Sequence, residues 1–187
     1  MTNTDTTPVL RVCVVGLAGA GKSTCASLIE EFARDKGLSY ARVKLAKPLY
    51  DLQEQVYRAA LGTLREGAQD QILMEALADA MRRIRPDSLA DDFTRRLMGV
   101  DADLIVNDDL RDPYVDAPAL RAQGFRVLRI VCDEDLRQQR LAKRDDPSRA
   151  DGSTRQLDLI EPDAVIDNGA GLEAYRNAVH QVLGSWL

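Results

Sequence analysis

Histidine is almost missing from this sequence: His180 is the only one among 187 residues. It lies near the C-terminus inside a helical pattern, which suits packing or surface rather than proton transfer, so chemistry built on an imidazole base is nearly excluded. Cysteine is scarce too. Cys13, Cys25 and Cys132 fall on a predicted strand, a helix and a strand end without metal-ligand spacing, and they read as buried reduced thiols. Lysine and arginine number 25 against 30 aspartates and glutamates, a formal net charge of −5. A chain of that charge is not built to coat nucleic acid, and a duplex partner is not expected. No apolar run is long enough to span a bilayer, and Met1 to Pro8 has neither a cationic start nor an apolar core, so no signal peptide or membrane anchor is expected there. Aromatic content is 5%, and Tyr40, Tyr50, Tyr57, Phe93 and Tyr114 are too scattered to single out a stacking residue.

What is present suffices for an ordinary core: 45% of the residues are hydrophobic. A single cytoplasmic domain over residues 1–187 is expected, with about residues 1–8 as a disordered tail. Val9 to Val15 reads as a buried strand ending at glycine, followed by a helix from Lys22 to about Lys36 that Gly37 stops. A second strand fits Ser39 to Leu45. Pro48 then opens a helix with an apolar stripe of Leu49, Leu52, Val56, Ala59 and Ala60. Further helices fit Gln71 to Ile84 and Ser88 to Met98. Asp103 to Asn107 and Phe125 to Val131 are strands, Asp133 caps a helix from Glu134 to Arg144, and Ala164 to Ile166 is a last strand before a helix from Leu172 to Leu183. Alternating strands and helices imply a three-layer α/β fold, a mostly parallel five-stranded sheet flanked by helices, with residues 48–98 inserted as a helical region.

Gly16-Leu-Ala-Gly-Ala-Gly-Lys-Ser-Thr24 satisfies GxxxxGK[ST], between a strand and a helix as a phosphate-binding P-loop requires. Its glycines permit the tight turn that aims successive backbone N–H groups at phosphate oxygens. Gly16, Ala18, Gly19, Ala20, Gly21, Lys22, Ser23 and Thr24 are therefore the expected ATP-binding residues. Lys22 adds a cation at the β and γ phosphates, Ser23 a hydroxyl ligand for Mg²⁺, and the helix N-terminus a favourable dipole. No Asn-Lys-x-Asp guanine-reading tetrapeptide occurs, and the chain is short for a motor ATPase. A small-molecule kinase is the leading class.

Other residues surround that centre. Asp108 and Asp109 end a predicted parallel strand, where the carboxyl edge of a sheet meets ligands; one of the two could hold Mg²⁺ through water, which of them staying open, and Asp109 is taken as the metal candidate. Arg111 lies two residues on and can grip a phosphate bidentately. Arg137, Arg140 and Arg144 form one stripe on a helix, and Arg140 and Arg144 are candidates for transition-state charge stabilisation from a lid over residues 134–156. Asn168, in Asp167-Asn-Gly169, ends the last strand on the expected adenine side. Arg42, Lys44 and Lys47, and Arg82, Arg83 and Arg85, are two cationic clusters, of which Lys44, Lys47 and Arg85 are taken with Asp109 and Arg111 as acceptor-binding residues.

Lys44-Leu-Ala-Lys-Pro-Leu-Tyr50, Asp109-Leu-Arg111 and Ala122-Gln-Gly-Phe-Arg-Val-Leu-Arg-Ile130 resemble segments of phage-type deoxynucleoside monophosphate kinases. In the C-terminal third, Arg140-Leu-Ala-Lys-Arg-Asp145 and Asp163-Ala-Val-Ile-Asp-Asn-Gly169 are similar to the lid-helix motif and adenine-side strand of dephospho-coenzyme A kinase. The resemblance implies transfer of the γ-phosphoryl of Mg·ATP to a (deoxy)nucleoside monophosphate, in the host cytoplasm for a phage-encoded chain. Helices between Gln71 and Met98 would help enclose the acceptor. The sequence departs from the first family at Lys47, where aspartate is usual, and over Asp112-Pro-Tyr-Val-Asp116. Three other readings stay open at this point: a dephospho-coenzyme A kinase-like enzyme, a kinase of a modified base in DNA, and a nucleotide-sensing module. A homodimer also stays open.

Overall fold

The computed structural model describes residues 9–143 and 156–187. The tail expected at residues 1–8, together with Arg144 and most of the expected lid, lies outside the described residues. Five strands, β1 (Leu10–Val15), β2 (Tyr40–Arg42), β3 (Leu104–Asn107), β4 (Arg126–Val131) and β5 (Ala164–Asp167), form one sheet in the order β2-β3-β1-β4-β5. Every pairing is parallel. Helices α1 (Lys22–Asp35), α2 (Lys47–Ala59), α3 (Gln71–Ile84), α4 (Ser88–Leu97), α5 (Asp116–Ala122), α6 (Glu134–Ala142) and α7 (Leu172–Trp186) flank it.

Strand periodicity sorts the core into two layers. Val12, Val14, Leu104, Val106, Leu128 and Ile130 pack on one face with α1 and α7, whereas Cys13, Val15, Ile105 and Val127 face the opposite way into a cluster with Leu49, Met74, Leu89 and Phe93. Side chains alternate faces along a strand, so continuous apolar runs are what a sheet covered on both sides requires. His180 stacks edge-on against Phe32, ring centroids 5.2 Å apart, so of the packing and surface roles expected of it packing is the one observed. All three cysteines are free. Burial pushes the Cys25 thiol up to about 12 and raises Cys13 as well, so both stay protonated and inert near neutral pH.

Three local expectations need correction. β2 is shorter than Ser39 to Leu45: after Val43 donates to the Val106 carbonyl at 2.8 Å, the N–H groups of Leu45 and Ala46 turn to the Asp109 carboxylate, at 2.8 and 3.1 Å. The stripe on α2 is different too, since Leu49 and Gln53 are its buried residues while Val56 is 39% exposed. Gln53 is buried because its amide ties down the chain ahead of α3, donating to the Ala68 carbonyl at 3.2 Å and accepting from the Asp70 N–H at 2.6 Å. Finally, α5 had no counterpart in the reading of the sequence. Its Pro118 stands in the first turn, where a missing N–H costs no intrahelical bond.

Candidate active site

The run from Gly16 to Thr24 joins β1 to α1 as the motif demands, and α1 starts at Lys22. Gly19 has φ +84, and a side chain there would meet the Arg137 carbonyl oxygen at 2.9 Å and Leu141 Cγ at 3.0 Å, so the loop lies directly on α6. Ser23 and Thr24 are exposed in the first turn of α1. Lys22 curls back over the loop, its Nζ donating to the carbonyls of Gly16 at 2.7 Å and Leu17 at 3.1 Å.

Three further loop carbonyls accept from distant side chains. Arg137 donates to the Ala18 carbonyl at 3.0 Å and Asn168 to the Ala20 carbonyl at 2.9 Å. Tyr175 donates to the Gly21 carbonyl at 3.1 Å. Arg140 approaches the carbonyls of Ala20 at 3.5 Å and Asn168 at 3.2 Å. The arginine stripe of α6 and the asparagine ending β5 thus converge on the phosphate loop, but Asn168 is 5% exposed and its amide serves the loop backbone.

Beside the loop, at the carboxyl end of β3, the buried Asn107 organises the chain. It donates to the Val43 carbonyl at 3.0 Å and to Asp109 at 2.7 Å, and accepts from the Leu110 N–H at 3.1 Å. The two aspartates that follow have separate tasks. Asp108 is buried against the guanidinium of Arg42 and the amine of Lys44, the latter at 2.6 Å. Burial alone would raise its pKa, yet the bonds and charges of Arg42 and Lys44 outweigh it and hold the carboxyl below its usual range. Asp109 lies on a cavity wall, its pKa raised mainly by burial.

Asp108→Asn should remove that charge partner and leave Arg42 and Lys44 facing a neutral amide. Losing one member of a fully buried pair costs about 3–5 kcal/mol; about 2 kcal/mol is expected here because both cations keep roughly a third of their surface in water. Thermal melting at pH 7 should fall by roughly 4–8 °C. A carboxylate with a depressed folded pKa lends stability above its unfolded value, about 3.9, and loses it as pH falls through the folded value. The gap between parent and variant should therefore close below about pH 4, and a gap that widens on acidification would refute this assignment.

The cavity has a volume of about 420 Å³. One wall is a single face of α3: Gln71, Met74, Glu75, Ala78, Asp79 and Arg82, spaced as one helical stripe. Tyr50 and Leu49 of α2, Leu89 of α4, and Asp109, Arg111, Asp112 and Asp116 complete most of it. Arg82 donates to the buried Asp116 carboxylate at 2.6 Å and stands 3.8 Å from Asp112. Burial raises the Asp116 pKa despite the arginine.

Of the residues expected to bind the acceptor, Asp109 and Arg111 are on this wall. Lys44, Lys47 and Arg85 are not among its described lining residues; in this structure each is engaged elsewhere. Each cation is drawn to a nearer carboxylate: Lys44 to Asp108, Lys47 to Asp51 at 2.6 Å, and Arg85, the C-cap of α3, to Asp91. Arg82 is the arginine of that cluster that reaches the cavity. Extending the Met74–Ala78 stripe by one more helical period would have found it.

No protein-family model matches the chain, and no curated protein matches it in sequence. Solved structures do. TT1252 from Thermus thermophilus superposes with a TM-score of 0.56 at 17% identity, over 96% of this chain and 99% of that one. The APS kinase of Mycobacterium tuberculosis, solved with AMPPNP and APS, gives 0.51 at 17% identity over 95% and 99%. The shikimate kinase of Acinetobacter baumannii, solved with shikimate, gives 0.50 at 16% identity over 96% and 93%. The likeness is one of fold: among the described residues a five-stranded, all-parallel sheet is flanked by seven helices, an α/β architecture that superposes on these kinases.

Proposed function

We propose that this chain transfers the γ-phosphoryl group of Mg·ATP to the phosphate of a (deoxy)nucleoside monophosphate. The observation that carries the reading is the pairing of two places at one sheet edge: the phosphate loop after β1 for the donor, and the walled cavity beyond β3, with Arg111 on its wall, for a second small ligand. An acceptor phosphate is already anionic near neutral pH, so its oxygen attacks the γ-phosphorus without a general base. The bond to the β–γ bridging oxygen breaks and ADP leaves. Lys22 moves from the loop carbonyls to the phosphates, and Arg140, beside Ala20, faces the shifting charge.

The donor set suits Mg²⁺, which keeps most of its shell as phosphate oxygens and water. Ser23 would offer its exposed hydroxyl and Asp109 a contact through water, since three of its roughly four lone-pair sites accept from Leu45, Ala46 and Asn107. Bound there, the ion would neutralise charge on the β and γ phosphates. Residues 134–156 are proposed as the lid, with Arg144 as its second arginine. ATP and the acceptor are the proposed partners. Among the described residues no helix is long and apolar enough to cross a membrane.

A second reading is favoured by the carboxylates of the cavity. Glu75, Asp79, Asp109, Asp112 and Asp116 face two guanidiniums, Arg82 and Arg111, a balance that suits a hydroxyl-bearing acceptor, the class to which a dephospho-coenzyme A kinase-like reaction belongs. One assay separates the two: purified protein and Mg·ATP with each deoxynucleoside monophosphate, dephospho-coenzyme A and simple polyols, the products resolved by ion exchange. Turnover of monophosphates is expected. Conversion of a hydroxyl acceptor alone would transfer the proposal to the second reading, and nucleotide binding without turnover would favour a sensing module. Arg111→Ala should raise the KM of the monophosphate about tenfold or more, as loss of a charge-assisted bond predicts, and leave the KM of ATP within about twofold. Equal effects on both substrates would remove Arg111 from the acceptor site.

A further inference from the structure

A P-loop works only if its peptide planes are turned so that N–H groups, not carbonyls, meet the phosphates. In a trans peptide the C=O of one residue and the N–H of the next point in opposite directions. Whatever grips a carbonyl from behind therefore aims the following N–H forward. Three buried side chains do this here, and Arg140 adds a longer contact to the Ala20 carbonyl at 3.5 Å. Arg137 holds the Ala18 carbonyl at 3.0 Å and so sets the Gly19 N–H. Asn168 holds the Ala20 carbonyl at 2.9 Å and sets the Gly21 N–H. Tyr175 holds the Gly21 carbonyl at 3.1 Å and sets the Lys22 N–H.

The three donors come from α6, the end of β5 and α7, none of them part of the motif, and all are buried. Tyr175 is 1% exposed, Asn168 5% and Arg137 8%. Arg137 is itself fixed, its Nε and Nη2 donating to Glu134 at 2.8 and 2.7 Å. We propose that Arg137, Asn168 and Tyr175 are positioning residues of the phosphate loop, acting on the donor nucleotide through the backbone they orient without touching it. The proposal rests on the reading of this loop as the ATP site. It gives Tyr175 a task beyond filling the core.

Tyr175→Phe is the sharpest test, because the ring stays in the core and the Gly21 carbonyl keeps its helical bond from the Cys25 N–H at 2.9 Å. Arg137→Met keeps the buried stem and removes the donor; Arg137→Lys restores a donor. Calorimetric titration with Mg·ADP, thermal melting, and initial rates giving separate KM values for ATP and the acceptor are the readouts. Expected for Tyr175→Phe is a parent-like melting temperature, nucleotide affinity lowered about fivefold, the worth of one hydrogen bond, and an unchanged acceptor KM. Arg137→Met should lose on the order of tenfold or more, as for a bond from a charged donor, with partial recovery in Arg137→Lys. Variants that bind Mg·ADP as tightly as the parent overturn the proposal. So does a fall in both substrates' affinities in step with melting, which would mark mere scaffolding. A parent that binds no Mg·ADP overturns the ATP-site reading and this proposal with it, and that result is distinct from the other two.

Discussion

Lys22→Ala should melt within a few degrees of the parent and lose phosphoryl transfer by about 10²–10³-fold, the loss typical of a single positioned donor at a charge-shifting centre. Both halves follow from where the amine lies. It is half-buried on the loop's surface, and it donates to the carbonyls of Gly16 and Leu17, which water can reach once the side chain is gone. Little folding energy is at stake. In the proposed reaction, by contrast, the amine is the cation at the β and γ phosphates, where charge moves from the γ group to the leaving oxygen. Melting curves and initial rates on the same preparations give the answer. Turnover within about threefold of the parent in a folded variant, far short of the loss expected for such a donor, would remove Lys22 from the electrostatic centre of the site.

Gly16→Ala should do the reverse, damaging the fold first. Gly16 has φ +154, and a methyl group there would sit inside contact distance of the Ile130 carbonyl oxygen, a backbone atom of β4 that cannot swing away. Strained backbone and an immovable clash together cost about 3 kcal/mol, at the upper end for an overpacked site. For a domain of this size, melting should drop by roughly 6–12 °C. Nucleotide binding should weaken in what remains folded, because β1 and β4 can separate only by moving the start of the loop. A variant with parent-like melting would show that β4 yields at Ile130 more readily than its place between β1 and β5 implies.

The parts of the fold that were legible in the sequence are those written in local pattern. The strand before Gly16, the loop and the helix from Lys22 follow from one contiguous motif, and α3 spans the Gln71 to Ile84 expected of it. Asp109 and Arg111, singled out for their place after β3, do lie on a cavity wall. What escaped was set by partners far along the chain. Lys44 and Asp108 are 64 residues apart, so nothing near Lys44 announced that a buried carboxylate would claim it. The Asp109 carboxylate shortens β2 across a similar separation. Tyr175 lies 154 residues from the carbonyl it holds, and as a lone tyrosine in an apolar helical stripe it gave no sign of polar work. α5 was hidden for a different reason: Pro118 marks a break almost anywhere in a helix except the first turn, where it stands.

The contact between Gly19 and α6 bears on how freely such a loop can be exchanged. GxxxxGK[ST] leaves the fourth position open, so the motif alone suggests a portable cassette that could be transplanted from one kinase to another. In this chain that position is not open. A side chain at 19 would meet the Arg137 carbonyl and Leu141 Cγ, while Arg137 itself reaches over to Ala18. Loop and helix are therefore one heritable unit: a donor loop carrying any larger residue there would have to bring its own sixth helix with it.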